Sequence, residues 1–583
     1  MQNLKWFKFS VKKQKANDQL MQSMNREVLL MQILQRIKPY KNVEPTETIK
    51  RIRKLLDDND IFVIENGHRK DPVTNVCSCR IILGDDGLRE LNIGSNGKGM
   101  TTKYALASAY AEFMERLQNG ALLWKVEKKS NLLPDAFFVS RNTLQDNATQ
   151  LLKLAYGSSK KVNCIAELYA RTEQNPLVVC FTEYGTNNSI QLPVGLLNEL
   201  TGSNGMAAGN TLLEAIIQGL SEIFERAALL DIFLKRHTPP EISEQWYEGT
   251  SVLQRLRTLK KYGINYKILD CSLGKRLPVI GLLIEKNNSY HVHFGADPSP
   301  ITALERCLTE TFQGKGLENL PLFLPLHETN DRKELLENTR REFTDSTGQV
   351  PSWVIYGESS WNFSGFEHPV STSDESDIAY YLDILSSLNK KLYVKDTGFL
   401  GFPSVRLYVP GLTEKNCPSI DDFQLKRFPE ELSALLLQIP TLNDEQYRKL
   451  AKGIQDWLND YPSANSYKTS FDSILLSEIK NTFPAGLFPG RMWDAYLLVS
   501  AIYYRGGMEK NGLRWLEMYL DNNNITGKQA EMLKIRLKSN GLTFLITEWP
   551  QCPSCDVCHA KKLCYKDEVE RFQKQLTNRM NIV

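Results

Sequence analysis

The chain has 583 residues, 42% of them hydrophobic and 24% charged, which is typical of a globular protein with a buried core and allows roughly three to five domains. Lys and Arg number 71 against 68 Asp and Glu, and this near-balance excludes a polybasic coat for nucleic acid as the main activity. No stretch approaches the ~18 consecutive apolar residues of a membrane span, and the basic N-terminus lacks the apolar segment of a secretory signal. We therefore expect a cytoplasmic protein with neither a membrane nor a nucleic acid as its direct partner.

The hydrophobic pattern predicts three regions along the chain. Residues 1–36 form an N-terminal helical extension, and residues 37–425 mix helices with short strands. From residue 426 onward the apolar residues recur at helical spacing, which predicts an all-helical C-terminal domain over 426–583. The predicted fold class is α+β, or α/β, followed by this helical domain.

Short elements and three long helices are expected within 37–425. A helix is predicted at 46–57, and strands are predicted in FVIENG, VCSCRIILG, IQLPVGLL, PVIGLLIE and YHVHFGA. The three long helices have capping signals. The first is expected to start near Thr101–Thr102 and to stop at Asn119–Gly120. The second is expected to stop before Pro239–Pro240. The third is expected to start after Pro298 or Pro300 and to stop at Gly314.

The three long helices share an acidic pattern. The motifs are Ala109-x-x-Glu112-x-x-Glu115-Arg116, Gly219-x-x-Glu222-x-x-Glu225-Arg226 and the shorter Leu308-x-Glu310-x-x-Gln313. The first two are offset by 110 residues at every matched position, which predicts an internal duplication. Acids three residues apart lie on one helix face. Here they stand among apolar and small residues, where buried carboxylates need a compensating charge.

Carboxylates that face one cleft from several helices suit Mg²⁺, which takes one or two of them and completes its shell with water and phosphate oxygens. Basic and polar residues between the acids are candidates for phosphate contacts: Lys98, Lys103, Asn210, Arg226 and Arg306. The segments GSNGKG and SNGMAAGN place backbone N–H groups at helix starts, where anions bind. A structural role stays open for any single glutamate, since Thr211-x-x-Glu214 is also a capping box.

These motifs, GKGMTTKYALASAYAEFMER, SNGMAAGNTLLEAIIQGLSEIFER and GADPSPITALERCLTETFQGKG, resemble the YcaO family of ATP-dependent enzymes that modify peptide backbones. The resemblance continues through WNFSG at 361–365 and LYVPGL at 407–412 and covers about 41 to 425. The whole layout is similar to stand-alone bacterial members, which are described as methylthiotransferase accessory factors for a ribosomal protein and carry a tetratricopeptide-like tail. It implies phosphorylation of a backbone amide oxygen, with ATP and Mg²⁺ as cofactors, after a nucleophile adds to the carbonyl.

The resemblance also implies roles for individual residues and a homodimer. Nucleotide contacts fall on Lys41, Thr48, Ser108, Asn210, Arg226 and Arg306. The Mg²⁺ shell falls on Glu112, Glu115, Glu214, Glu222, Glu225 and Glu310. Among these, Glu112, Glu225 and Arg306 are the expected catalytic residues, and Lys98, Lys103 and Gln313 are weaker candidates for the site.

Four of the 11 cysteines cluster near the C-terminus, at Cys552, Cys555, Cys558 and Cys564. Thiolates at this spacing can hold one iron–sulfur cluster or one Zn²⁺ ion. The remaining cysteines are scattered, which indicates reduced thiols rather than a disulfide framework.

Three functions stay open for the protein. The leading one is thioamide formation, or assistance to methylthiolation of a ribosomal protein, with a methylthiotransferase or sulfur-donor protein as partner. The second is azoline cyclodehydration of a precursor peptide, which is less supported because the chain ends in TNRMNIV rather than in a Pro-rich tail. The third is a non-catalytic adaptor that recruits a methylthiotransferase.

Overall fold

The architecture is given by a computed structural model that describes residues 41–580, apart from 86–87, 125–132, 174, 275–276, 314–322, 369, 416–418, 424–428, 460–493, 523–526, 529, 532 and 536–565. The helices are α1 (Pro45–Asp57), α2 (Thr102–Gln118), α3 (Arg141–Tyr156), α4 (Lys160–Thr172), α5 (Val194–Thr201), α6 (Leu212–Leu234), α7 (Ser251–Lys260), α8 (Pro300–Thr311), α9 (Arg332–Asp345), α10 (Trp353–Tyr356), α11 (Asp374–Ser387), α12 (Glu430–Leu437), α13 (Asp444–Asn459), α14 (Asp494–Arg505), α15 (Glu509–Asn522) and α16 (Lys566–Met580). The strands are β1 (Val63–Lys70), β2 (Cys77–Leu83), β3 (Gly94–Gly99), β4 (Phe137–Phe138), β5 (Leu177–Glu183), β6 (Ser189–Pro193), β7 (Met206–Ala208), β8 (Asn265–Asp270), β9 (Val279–Lys286), β10 (Ser289–Ala296), β11 (Tyr393–Asp396) and β12 (Ser404–Tyr408).

The strands form three antiparallel sheets. The first sheet has the order β1-β2-β3, and another three-stranded sheet has the order β10-β9-β8. The large sheet has the order β4-β5-β11-β12-β7, with β6 paired to β5. The strand ladders within the described ranges are antiparallel, so the mixed fold is of the α+β kind.

Each of the three motif helices begins at a hydroxyl cap, and the third starts at Pro300, directly after its cap Ser299. The hydroxyl oxygens of Thr101, Thr211 and Ser299 accept from the backbone N–H groups of residues 104, 214 and 302. This contact satisfies one of the donors that a helix start leaves unpaired. The first helix ends with Asn119 as its C-cap, and the second ends at Leu234, before the two prolines.

The motif helices pack on the sheets so that they approach one another. Helix α2 packs on β2 and β3, and α8 packs on β9 and β10 and also touches β3. Helix α6 contacts the large sheet through β7 and β12, and it contacts the β10-β9-β8 sheet through β10. Its apolar residues Leu220, Ile223 and Phe224 are fully buried, and burial of each such side chain contributes about 1.5–3 kcal/mol.

Glycine allows the closest of these approaches. A Cβ atom on Gly97 of β3 would lie 1.9 Å from the carbonyl oxygen of Ala105, and one on Gly295 of β10 would lie 2.4 Å from that of Ala303. The two glycines precede the residues they face by the same eight positions. Helices α2 and α8 therefore sit in the same way on the last strand of a three-stranded antiparallel sheet.

The C-terminal helices form a core of their own. Helices α12 to α15 bury residues that include Leu436, Leu450, Ile502 and Leu516. Helix α16 instead joins the core around α1 and α2, through Val569, Phe572, Leu576 and Met580. Gln575 also donates to the carbonyl oxygen of Asn59, just beyond α1, at 2.7 Å. The end of the described chain therefore packs on the first sheet and its helices.

One detail of the sequence prediction changes. IQLPVGLL is a strand only as far as Pro193, and Val194–Thr201 is helical, since Pro193 stands at the N-cap of α5. In the C-terminal part, helices α14 and α15 are separated at Gly506–Gly507, where Gly507 has a φ of +80°. None of the described helices is long and apolar enough to cross a membrane. The predicted extension 1–36 and the domain boundary near 425 lie in or beside residues that the structure does not describe.

Candidate nucleotide and metal site

The N-terminal end of α6 brings together four of the predicted site residues. The hydroxyl of Thr48 on α1 donates to Asn210 Oδ1 at 2.7 Å. The amide of Asn210 donates to both carboxylate oxygens of Glu214 at 3.3 Å. Lys41 Nζ lies 3.2 Å from Glu214 Oε1. Thr211 alone provides the cap, so the Glu214 carboxylate, which is buried, faces Asn210 and Lys41.

Lys98 marks the place where charges from all three motif helices act together. It lies on β3, and its ammonium forms an ion pair with Glu310 of α8. Burial lowers the pKa of Lys98 to about 8, and the negative charges of Glu112 on α2 and Glu225 on α6 oppose this shift. Arg306 and Arg226 add a further lowering effect through repulsion. The three helices therefore direct acids toward one lysine, with two arginines close by.

Glu225 is an acid in a crowded electrostatic environment. Burial raises its pKa, and the charge of Glu222 on the same helix raises it further. The positive charges of Arg226, Arg306 and Lys98 act in the opposite direction. A carboxylate in this position is stabilised only while cations remain near it.

Glu115 on α2 is close enough to Glu222 on α6 for the two charges to affect each other. Burial raises the pKa of Glu115 well above its usual value, with Arg116 opposing the shift and Glu222 and Glu112 adding to it. Arg116 lies 3.4 Å from Glu115 and 3.7 Å from Glu112, measured between nitrogen and oxygen atoms. Arg116 is thus the cation nearest to the acids of the first motif.

Arg226 and Arg306 are held by groups outside the glutamate motifs. Arg226 donates to the carbonyl oxygen of Phe343 at 3.0 Å, and its guanidinium carbon stands 4.7 Å from the centre of the Phe343 ring. Arg306 Nη2 donates to Gln218 Oε1 and lies 3.5 Å from Asp297 Oδ2. These contacts orient both guanidinium groups.

Asp297 and Gln218 are site residues that the sequence analysis missed. Asp297 also accepts from the backbone N–H of Ser299 at 3.0 Å, at the start of α8. Gln218 occupies the position in the second motif that Ser108 occupies in the first and Arg306 in the third. Alignment of the three motifs was the signal that could have identified Gln218, whereas the pairing with Arg306 appears only in three dimensions.

The remaining predicted residues are placed less centrally. Ser108 is half-buried on α2, one turn before Glu112. Lys103 is exposed in the first turn of the same helix. Gln313 follows α8, and its backbone N–H donates to the carbonyl oxygen of Glu310 at 3.2 Å. The motif Cys552–Cys564 lies outside the described residues, so its metal stays a prediction.

The acids around Lys98 are the ligand type that a divalent cation takes together with phosphate oxygens, but they do not form a complete metal site by themselves. Within the described ranges, no group of three or more His, Cys, Asp or Glu has the geometry to hold a metal ion. The carboxylates are paired with Lys41, Lys98, Arg116 and Arg226 instead. Mg²⁺ needs only one or two carboxylates when phosphate supplies other oxygens. The position of Lys98 shows that this carboxylate pocket accommodates a positive charge, and the assignment of the six glutamates as Mg²⁺ ligands stays a prediction.

A match to a family model identifies the class of protein. The family model described as YcaO cyclodehydratase, ATP- and Mg²⁺-binding, matches residues 96–413, which is more than half of the chain. The chain therefore belongs to this family, and the matched segment contains all three motif helices.

Two curated relatives narrow the comparison. The ribosomal protein S12 methylthiotransferase accessory factor YcaO of Escherichia coli is 31% identical over 405 residues, which cover 64% of this chain and 66% of that protein. An uncharacterized protein of Haemophilus influenzae is 29% identical over 378 residues, which cover 60% of this chain and 62% of that protein. The chain thus spans slightly less than two thirds of the length of these relatives.

Two solved structures resemble part of the chain. A heterocyclase in complex with substrate and cofactor has 20% identity, a TM-score of 0.45, and coverage of 64% of this chain and 53% of that one. YcaO from Methanopyrus kandleri bound with AMPPCP and Mg²⁺ has 18% identity, a TM-score of 0.40, and coverage of 68% of this chain and 98% of that one. At these TM-scores the family assignment rests on the sequence match alone.

Proposed function

We propose that the protein uses ATP and Mg²⁺ to activate a peptide-backbone amide by phosphorylating its oxygen. The observation that carries this proposal is the meeting of Glu112, Glu225 and Glu310, from three separate helices, around Lys98. A site of alternating acids and bases can hold a polyphosphate only when metal ions stand between the phosphate and the carboxylates. The chemical need is clear, because an amide oxygen is a poor leaving group and a phosphate is a good one.

In this proposal the site residues bind the metal ion, the phosphates or the rest of the nucleotide. The glutamates of the three motifs, with Glu214, hold Mg²⁺, which when bound neutralises charge on the phosphates. Arg226, Arg306 and Lys98 contact phosphate oxygens and stabilise negative charge as it develops during transfer. At the N-terminal end of α6, donors to the nucleotide come from the ammonium of Lys41, the hydroxyl of Thr48 and the amide of Asn210. Glu112, Glu225 and Arg306 are the proposed catalytic residues.

We further propose that the activated amide serves thioamidation, or the methylthiolation of a ribosomal protein. The support is the similarity to the Escherichia coli accessory factor for ribosomal protein S12 methylthiotransferase. The separate core of helices α12 to α15 gives such a protein a second body for contacts with a methylthiotransferase or a sulfur donor. An internal duplication, a tetratricopeptide-like arrangement of the tail and a homodimer belong to the same proposal.

Nucleotide binding and turnover test the first step. Wild type is expected to bind a non-hydrolysable ATP analogue in the presence of Mg²⁺ and to hydrolyse ATP faster when ribosomal protein S12 is added. Glu225→Gln is expected to lose at least about 10²-fold in turnover, since one electrostatic contact to the transition state has this magnitude. Glu241→Gln is the matched control, because Glu241 is exposed and pairs with Lys267 at 3.4 Å.

Mass spectrometry of the substrate distinguishes the uses of the activated amide. Exchange of oxygen for sulfur indicates thioamidation, and loss of one water indicates azoline formation. Absence of turnover with every peptide, together with partner binding that survives Glu225→Gln, would establish the adaptor instead of the enzyme.

A further inference from the structure

Lys98 has a fixed backbone and a side chain that enters the acidic cluster. Lys98 pairs with Ser78 in the β2–β3 ladder. Helix α2 packs on the glycines at either side of Lys98, because a Cβ atom on Gly97 or Gly99 would lie within 3 Å of α2 atoms. A change in the position of the ammonium therefore has to come from rotation about the bonds of the side chain. The ammonium pairs with Glu310 and is acted on by the charges of Glu112 and Glu225.

An ammonium in this position and a metal ion at the same carboxylates are alternatives. Both are cations, and like charges a few ångströms apart in a half-buried site repel strongly. A Mg²⁺ ion that binds Glu310 must therefore displace Lys98. Arg226 and Arg306 also repel the ammonium, so a displaced Lys98 needs a new anionic partner.

We propose that Lys98 acts as an exchangeable counter-ion: it neutralises the motif glutamates in the absence of ligand and passes to the phosphates when Mg²⁺ and nucleotide bind together. This inference rests on the proposed function and adds a consequence to it. Metal alone binds weakly, because it would leave Lys98 without a partner. Metal and nucleotide bind cooperatively, because the phosphate receives the lysine that the metal displaces. The coupling is reciprocal by linkage.

The consequence is measured by binding rather than by activity. Mn²⁺ serves as the probe for the metal, and its affinity is measured by calorimetry or electron paramagnetic resonance with and without a non-hydrolysable ATP analogue. In wild type the analogue is expected to raise Mn²⁺ affinity by a factor of about 5 to 150, the usual range of such coupling. In Lys98→Met, Mn²⁺ alone is expected to bind at least about fivefold more tightly than in wild type, and the coupling factor is expected to shrink toward one.

Lys98→Gln repeats the test with a polar neutral side chain in case the methionine variant does not fold. Lys267→Met is the matched control, since Lys267 also lies on a strand and pairs with a glutamate, but at an exposed position. It is expected to keep both wild-type affinities. A folded Lys98→Met or Lys98→Gln with wild-type Mn²⁺ affinity in the absence of nucleotide overturns the inference and leaves the proposed function standing. Failure of wild type to bind the analogue with Mn²⁺ overturns the proposed function itself.

Discussion

The hydroxyl of Thr48 donates a hydrogen bond of 2.7 Å to Asn210 Oδ1, across 162 residues of sequence. Both side chains are buried, and the bond joins helix α1 to the start of α6. Asn210 in turn donates to Glu214, which pairs with Lys41. A short segment before the first sheet is thereby tied to the helix that carries Glu222 and Glu225.

Thr48→Val is expected to weaken both stability and nucleotide binding. It removes the donor but keeps the shape, and a buried acceptor that loses its partner costs about 1–3 kcal/mol. Urea denaturation should show a loss of this size, and calorimetry should show weaker binding of an ATP analogue. Thr48→Ser restores the hydroxyl and should recover most of both. Equal behaviour of the valine and wild-type proteins in both measurements would remove Thr48 from the site.

Gln218→Met is expected to weaken nucleotide binding without unfolding the protein. Gln218 accepts from Arg306, which also lies 3.5 Å from Asp297 Oδ2. Loss of one hydrogen bond to a charged group costs about 1.5–3 kcal/mol, so the Kd for an ATP analogue should rise about tenfold or more. Gln218→Glu keeps an acceptor for Arg306 and should retain much tighter binding than the methionine variant. An unchanged Kd in Gln218→Met would show that Arg306 needs no such support.

Gly97→Ala is expected to destabilise the first sheet and α2 together. The new Cβ would lie 1.9 Å from the carbonyl oxygen of Ala105 and 2.5 Å from the nitrogen of Ala109, and backbone atoms cannot turn aside. We expect a loss of about 3 kcal/mol or more in the free energy of unfolding. Gly157→Ala is the control: Gly157 has a φ of +79° and a ψ of −177° but no neighbour within 4 Å, so only its backbone strain of about 1–3 kcal/mol should appear. If the two variants lose the same amount of unfolding free energy, then α2 and the first sheet can move apart at little cost to accommodate a side chain at residue 97.

Glu305 on α8 predicts a pH dependence of stability. Burial raises its pKa to about 7 from 4.5, with Arg255 opposing the shift and Asp297 adding to it. The folded state therefore holds a proton that the unfolded state has released between these values, and stability falls as the pH rises from about 4.5 through about 7. Glu305→Gln removes this loss of stability. The free energy of unfolding of the variant should therefore rise relative to that of wild type between pH 5 and pH 8, by up to about 3 kcal/mol. Urea denaturation at the two pH values checks this, and an identical pH dependence of the two proteins would contradict it.

The local chemistry of the three motif helices could be read from the chain. Their starts at Thr101, Thr211 and Ser299 follow from hydroxyl capping, and their acids share a face because of the helical repeat. The boundary inside IQLPVGLL could not be read in the same way, because apolar runs of this length suit a strand or a helix equally. Pro193 and the sheet edge decide it in the folded chain.

Some partners belong to no local pattern. Asp297 and Gln218 reach Arg306 from a loop and from another helix, and α16 packs on α1 although more than 500 residues separate them. Such contacts depend on how three sheets are stacked, which is a property of the whole chain.

The sequence by itself determined the family, the three capped helices and the acids on them, because caps and helical periodicity act over a few residues and the motifs are long. Only the tertiary structure decided which distant base neutralises which acid: Lys98 pairs with Glu310, and Lys41 pairs with Glu214. The physical reason is that electrostatic pairing depends on distance through space, and the close packing of α2 and α8 on glycine-bearing strands sets those distances.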